Sequence, residues 1–338
     1  MLVAVSCSTH PALEYADTVD VTLGIGMHGN GPVKDEDTWT KAAGTEAETA
    51  IRSLRIIACT GAADGTEKVV YCSERITDIS MSSQRPHVVY TVPGVPVGSV
   101  TFYVVANEET LGYTDEDFLF GEGAVGGLLA DPSALNTTLF IDENNEQFPI
   151  KGFNDLEDVI AEKGLPMTGT TTVEVTADMG AVTVDLERMV AKILVRVENA
   201  VSYSIDMKKR LEFGNIVGDR TYLFPDNTGN RGDVPDDYNG YLPLTIDTEE
   251  SSAIEAATTV DFFTAYILPC GGAGENGLSL TLYRNDGTSS TGTISGNVVI
   301  PRNTQMTILA RINERVDISI SFEVLPWEEY TVDIPVFD

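Results

Sequence analysis

Hydrophobic and polar residues alternate most strictly at the two ends of this chain. Val19, Val21, Leu23, Ile25 and Met27 are separated by Asp20, Thr22, Gly24 and Gly26. Near the other end Val316, Ile318, Ile320, Phe322 and Val324 are separated by Asp317, Ser319, Ser321 and Glu323. After Pro326 and Trp327 the alternation resumes with Tyr330, Val332, Ile334 and Val336. Period 2 places every apolar side chain of a strand on one face, so each terminus carries a strand that needs a core to cover it. A polar linker, Asn30 to Ala50, separates the first strand from the next apolar run. Each terminal strand therefore reads as detachable from the body.

Between the ends, short apolar runs alternate with turns: 51–58, 69–71, 87–92, 100–106 and 135–141, then 173–175, 182–186, 191–197, 262–268 and 278–283. Asn285-Asp286-Gly287 reads as a hairpin turn into 291–294, and Met306 to Ile312 is one more strand. A single short helix is expected from Asp155 to Lys163, with Asn154 as its cap, Glu157 at the capping-box position, and Gly164 and Pro166 ending it. The whole is an all-β chain. Its 338 residues suit two domains, 42% of them are hydrophobic, and no apolar stretch is long enough to span a bilayer. We place the boundary near residue 170, giving 1–18 as a signal remnant, 19–170 as the first domain and 171–338 as the second.

A net charge of −31 repels phosphate backbones and anionic lipid and argues against nucleic-acid binding. The acidic runs 35–37, 115–117 and 236–237 lack the spaced ligands and glycine of a calcium loop, so they read as solvated surface. His10, His28 and His87 have no metal-ligand spacing, Gly121 to Gly126 matches a dinucleotide fingerprint in letters only, and Arg231-Gly232-Asp233 is too short to define an adhesive site. No catalytic constellation, cofactor site or metal site is expected, and Glu328-Glu329 is not distinguished from other acidic pairs.

Two cysteine features concern export. Ala4-Val5-Ser6-Cys7 has the small residue before Cys of a lipoprotein signal, without its usual apolar length or basic start. Read as the stub of a signal whose start lies upstream, it makes Cys7 the lipidation site; an ordinary N-terminus with a chance cysteine is the other reading. A hairpin with a four-residue loop from Asp64 to Glu67 would set Cys59 opposite Cys72, so a disulfide and two buried thiols are both compatible with the sequence.

The segment Val182 to Val195, with Leu186-Glu187-Arg188-Met189-Val190, resembles the opening of the second domain in the fimbrillins, the subunits of type V pili. Lys41 to Glu48, Phe102 to Asn107, Phe263 to Pro269, Pro301-Arg302-Asn303-Thr304 and Phe322 to Trp327 resemble other parts of that family in the same order. The resemblance implies two β-sandwich domains of transthyretin-like kind in a pilus subunit exported as a lipoprotein to the outer membrane. It also implies that a protease removes the N-terminal strand and that the groove accepts the C-terminal strand of a neighbour. On this chain those roles fall to Val19–Met27 and to 316–338. The family commonly cuts after Arg, whereas the linker offers Lys41-Ala42 and no Arg before Arg52. The implied partners are copies of the chain or other pilus subunits, a processing protease and a host receptor, with membrane contact only through lipid. A non-polymerising surface lipoprotein that binds glycans or host protein, and a glycosidase accessory module, are the alternative expectations.

Overall fold

The computed structural model describes residues 17–27, 46–61, 67–79, 87–118, 139–141, 148–153, 156–218, 220–224, 242–269, 278–294, 300–313 and 318–326. In the first half the strands are β1 (Thr18–Met27), β2 (Leu54–Gly61), β3 (Glu67–Cys72), β4 (His87–Pro96), β5 (Gly98–Ala106), β6 (Leu139–Ile141), β7 (Ile150–Gly152), β8 (Met167–Val175) and β9 (Val182–Arg188). The second half holds β10 (Ala191–Asn199), β11 (Ile205–Val217), β12 (Arg220–Tyr222), β13 (Leu242–Ile254), β14 (Thr258–Ile267), β15 (Leu278–Arg284), β16 (Ser289–Ile294), β17 (Thr304–Ile312) and β18 (Ile318–Pro326). Among the described residues two α-helices, α1 (Glu46–Thr49) and α2 (Glu157–Lys163), and two short 3-10 turns interrupt them. The all-β expectation holds.

Seven strands form the first sheet in the order β3-β2-β5-β8-β9-β1-β4. Its two end strands meet again where the hydroxyls of Tyr71 and Tyr90 lie 2.9 Å apart, so the sheet wraps around one core of Leu23, Ile25, Ile56, Phe102, Val104 and their neighbours. The second sandwich sets a five-stranded sheet, β18-β17-β10-β14-β7, against a four-stranded one, β13-β11-β15-β16. Ile193, Val195, Leu211, Phe213, Phe263, Leu280 and Ile308 fill the space between them. A short ladder joins β6 to β12.

The continuous apolar runs of β2 and β5 have a physical cause. Leu54, Ile56, Phe102 and Val104 face the first core, while Ile57, Cys59, Tyr103 and Val105 face a separate cluster with Met189, Val190, Leu223, Phe224, Tyr266 and Leu268. Strands covered on both faces lose the alternation. That second cluster is the junction between the halves.

Three expectations are corrected here. The boundary is not near residue 170: β8 and β9 belong to the first sheet, and sheet membership changes between Arg188 and Ala191. Alternation marks these residues as strand but carries nothing about which sheet they join. The helix starts at Glu157, after Leu156, with no side-chain cap, while Asn154 and Asp155 lie outside the described residues. Gly164 ends it as expected, at φ 76° with its N–H on the Ile160 carbonyl. Finally, Cys59 and Cys72 do not stand opposite each other. The ladder pairs Gly61 with Glu67, and a bulge after Ala58 shifts it, so Cys59 opposes Val69 and Cys72 opposes Ile57.

Candidate functional site

The site follows from where β1 lies. β1 is not an edge strand: it runs parallel to β9, with Leu23 beside Val182, Ile25 beside Val184 and Met27 beside Leu186, and antiparallel to β4, with Val21 opposite Val92 and Ile25 opposite Val88. Val21, Leu23 and Ile25 are fully buried and Met27 nearly so, while Val19 packs part-buried at the rim. The Asp20 carboxylate accepts the N–H of Gly94, and a bulge between Val19 and Val21 marks the start of the regular ladder. Among the described residues β1 is the only sheet neighbour of β4. Withdrawing β1 would thus open a slot with four apolar positions and two bare backbone edges, each able to accept a strand.

The C-terminal segment is placed differently from expectation. The sequence suggests that only the N-terminal strand pairs within its own chain, yet β18 forms an antiparallel ladder with β17 from Ile318 opposite Ile312 to Pro326 opposite Thr304. Ile318, Ile320, Phe322 and Val324 therefore belong to the backbone of the second sandwich. β17, already paired with β10 on its other edge, offers the antiparallel edge that alternation alone cannot reveal. Val316, Trp327, Tyr330, Val332, Ile334 and Val336 lie outside the described residues, as do Cys7, Lys41, Ala42, His10, His28, residues 121–126 and 231–233 and Glu328-Glu329.

Pro326 comes to the junction of the two halves. Asn303 precedes Thr304, the partner of Pro326, and its Oδ1 accepts a 2.9 Å hydrogen bond from Nη1 of buried Arg188. Nε of the same arginine donates to the Glu48 carbonyl at 3.1 Å. The Glu48 carboxylate meets Lys192 Nζ at 2.6 Å and accepts from Tyr266 Oη at 2.6 Å. Arg302, also buried, donates to Thr221 Oγ1, to Thr168 Oγ1 and to the Tyr222 carbonyl. Sequence reading assigned no role to Arg188, Arg302 or Asn303, although all three fall in the motifs that carry the fimbrillin resemblance.

A second buried cluster is structural in character. Arg55 Nε and Nη2 hold Glu108 at 2.7 Å each, Nη1 donates to the Ser73 carbonyl at 2.8 Å, and the guanidinium stacks 4.3 Å from the centre of the Phe118 ring. Arg75 Nε adds a 2.6 Å contact to Glu108. The hydrogen bond from Arg55, together with its charge, holds the Asp115 carboxyl below the usual carboxylate range. Carboxylates bound to arginines in this way are poor proton acceptors. Among the described residues no group of His, Cys, Asp and Glu is arranged to hold a metal, and no helix is long and apolar enough to cross a membrane.

A family model for fimbrillin-A associated anchor proteins Mfa1 and Mfa2 matches residues 65–333. The chain belongs to that family. It is thus a fimbrial component of the cell surface. Solved structures share its fold along nearly the whole length. A putative cell adhesion protein from Parabacteroides distasonis aligns with a TM-score of 0.57 at 11% identity, covering 92% of this chain and 97% of that one. The tip fimbrial protein Mfa3 from Porphyromonas gingivalis, with C-terminal truncation, gives 0.53 at 14% identity over 91% and 100%. A fimbrial assembly protein from Parabacteroides distasonis gives 0.51 at 14% over 91% and 98%. No curated protein is similar enough to count as a relative.

Proposed function

We propose that this protein is a structural subunit of a surface fimbria, in the anchor or stalk position, joined to its neighbours by strand exchange. The observation that carries the reading is β1: an interior strand with three fully buried apolar side chains, followed by the polar linker that starts after Met27. A cut in that linker, at Lys41-Ala42, leaves β1 held by packing and hydrogen bonds alone. The incoming strand is the segment after Pro326, in which Tyr330, Val332, Ile334 and Val336 repeat the spacing of Val21, Leu23, Ile25 and Met27. Such a strand completes both ladders while its apolar face fills the vacated positions. Lipidation at Cys7 tethers the uncut precursor to the outer membrane; the cut separates the body from that lipid, and a copy that escapes the cut stays tethered in the anchor position, which the name of its family favours. The partners are other pilus subunits and a processing protease; we assign no catalytic role.

The β17–β18 ladder favours a second reading, a surface lipoprotein that does not polymerise, because part of the expected donor segment, Ile318–Pro326, already pairs in its own sheet. Changing Val332 and Ile334 together to Asp separates the two. In a strain with no other copy of the subunit, the exchange reading expects folded protein and loss of its incorporation into fibres, since each charge would enter an apolar position at a cost of roughly several kcal/mol. Unchanged incorporation would leave the non-polymerising reading, or a different joint.

A further inference from the structure

The last residues of the linker and those just after it are well fastened. Glu48, only 1% exposed, binds Lys192 and Tyr266, which face each other across β10 and β14 of the second sandwich. Three residues later Ile51, 3% exposed, enters the core of the first. Between and after them, buried Asn107 binds four backbone groups. Its Oδ1 accepts from Arg52 N at 2.7 Å and Ser53 N at 3.3 Å, and its Nδ2 donates to the Ala50 carbonyl at 2.9 Å and the Leu165 carbonyl at 2.6 Å. Ser53 gives its carbonyl to Asn107 N at 3.0 Å and its hydroxyl proton to Glu109 at 2.6 Å. Asn107 adopts the left-handed conformation, φ 59°, which Asn tolerates better than most residues. A methyl group on Gly164 would come within 2.3 Å of its Nδ2, so that glycine keeps the space for the asparagine.

Arg52 itself exposes its side chain and looks open to a protease specific for basic residues. Its backbone is not open. Proteolysis needs several residues drawn out as an extended strand, and here both sides of the 52–53 peptide bond are hydrogen-bonded or buried. We propose that Glu46–Ser53 is a clasp retained in the mature protein: it shields Arg52 from processing, so every processing cut falls before Glu46, and it fixes the new N-terminus at the junction between the sandwiches. Arg188 binds both this clasp and Asn303, beside the end of β18. The cut end and the start of the C-terminal segment are then anchored on one arginine. The inference deepens the processing step proposed above and takes from that reading only the existence of a cut.

Limited trypsin digestion of the folded full chain, with new N-termini followed by mass spectrometry, tests it. Chains beginning at Asp35 or Ala42 should form at least about tenfold faster than chains beginning at Ser53, the protection that the bonds around Arg52 confer if they must open first. Asn107→Ala should raise the Ser53 end by about tenfold or more without changing the linker cuts. If that variant does not fold, Ser53→Ala, which loses only the hydroxyl bond to Glu109, should raise it by about threefold. A Ser53 end appearing in the wild type as fast as Ala42 overturns the clasp. Resistance at Arg52 together with resistance throughout the linker supports the clasp and counts against processing itself.

Discussion

A chain that begins at Glu46 lacks β1, and the loss can be sized from the structure. Val21, Leu23 and Ile25 are fully buried and Met27 is 7% exposed. At about 1.5–3 kcal/mol for each buried side chain, β1 contributes about 6–12 kcal/mol of apolar burial. That is as large as the whole net stability of a typical domain, about 5–15 kcal/mol. The truncated first sandwich should therefore lose cooperative folding, while the second, whose core holds no residue of β1, keeps its own transition. Circular dichroism in urea reads this as loss of the first sandwich's share of the unfolding signal, with the transition of the second remaining. A synthetic peptide of residues 17–27, added in trans, should restore the lost transition, and one of residues 327–338 should do the same. Fluorescence anisotropy of the labelled peptides measures both affinities. The reasoning fails if the truncated chain unfolds at the full-length midpoint with an unchanged slope, and the exchange step fails if 17–27 binds and 327–338 does not.

Two further outcomes follow from the polar interior. Arg55→Met should cost about 3–5 kcal/mol in urea unfolding because it strips the two-pronged arginine partner from the fully buried Glu108 carboxylate; Arg55→Met with Glu108→Leu should recover much of that loss, and equal losses would show that the pair is not coupled. Burial, reinforced by the Tyr90 hydroxyl at Tyr71 and by the Asp117 charge at Tyr113, raises both phenols above their ordinary 10.0. The folded pKa exceeds the unfolded one, so this stability is fully present below about pH 10 and is lost as pH rises toward the folded values. Ultraviolet titration should show a minority of tyrosines ionising only as the fold opens, and simultaneous ionisation of all of them in the folded protein would refute it.

Strict alternation made β1, β9, β15 and β17 legible, since each is covered on one face and its burial follows every second residue. β11 and β13 escaped because bulges break that period: the ladder shifts between Lys208 and Arg210, and Glu249 takes φ 59° within β13. Sheet membership of β8 and β9 is a long-range property, as is the choice of β18 to pair with β17. The junction was legible only indirectly. Its polar contacts join residues 140 apart in the case of Arg188 and Glu48 and 218 apart for Tyr266 and Glu48, separations that no local pattern encodes. Arg188, Arg302 and Asn303 nevertheless stood inside the segments that resembled the fimbrillins, and a charged residue inside an apolar strand motif is the signal that would have drawn attention to Arg188.

Crosslinking in assembled fibres tests the central claim most directly. With a photo-activatable residue in place of Val332, located by mass spectrometry, the account predicts crosslinks to the strands that flank β1, at residues such as Val88, Tyr90 or Val184, on a neighbouring subunit, with residues 17–27 missing from the same fibres. Crosslinks confined to the same chain, or fibres that retain residues 17–27 in every subunit, would contradict it.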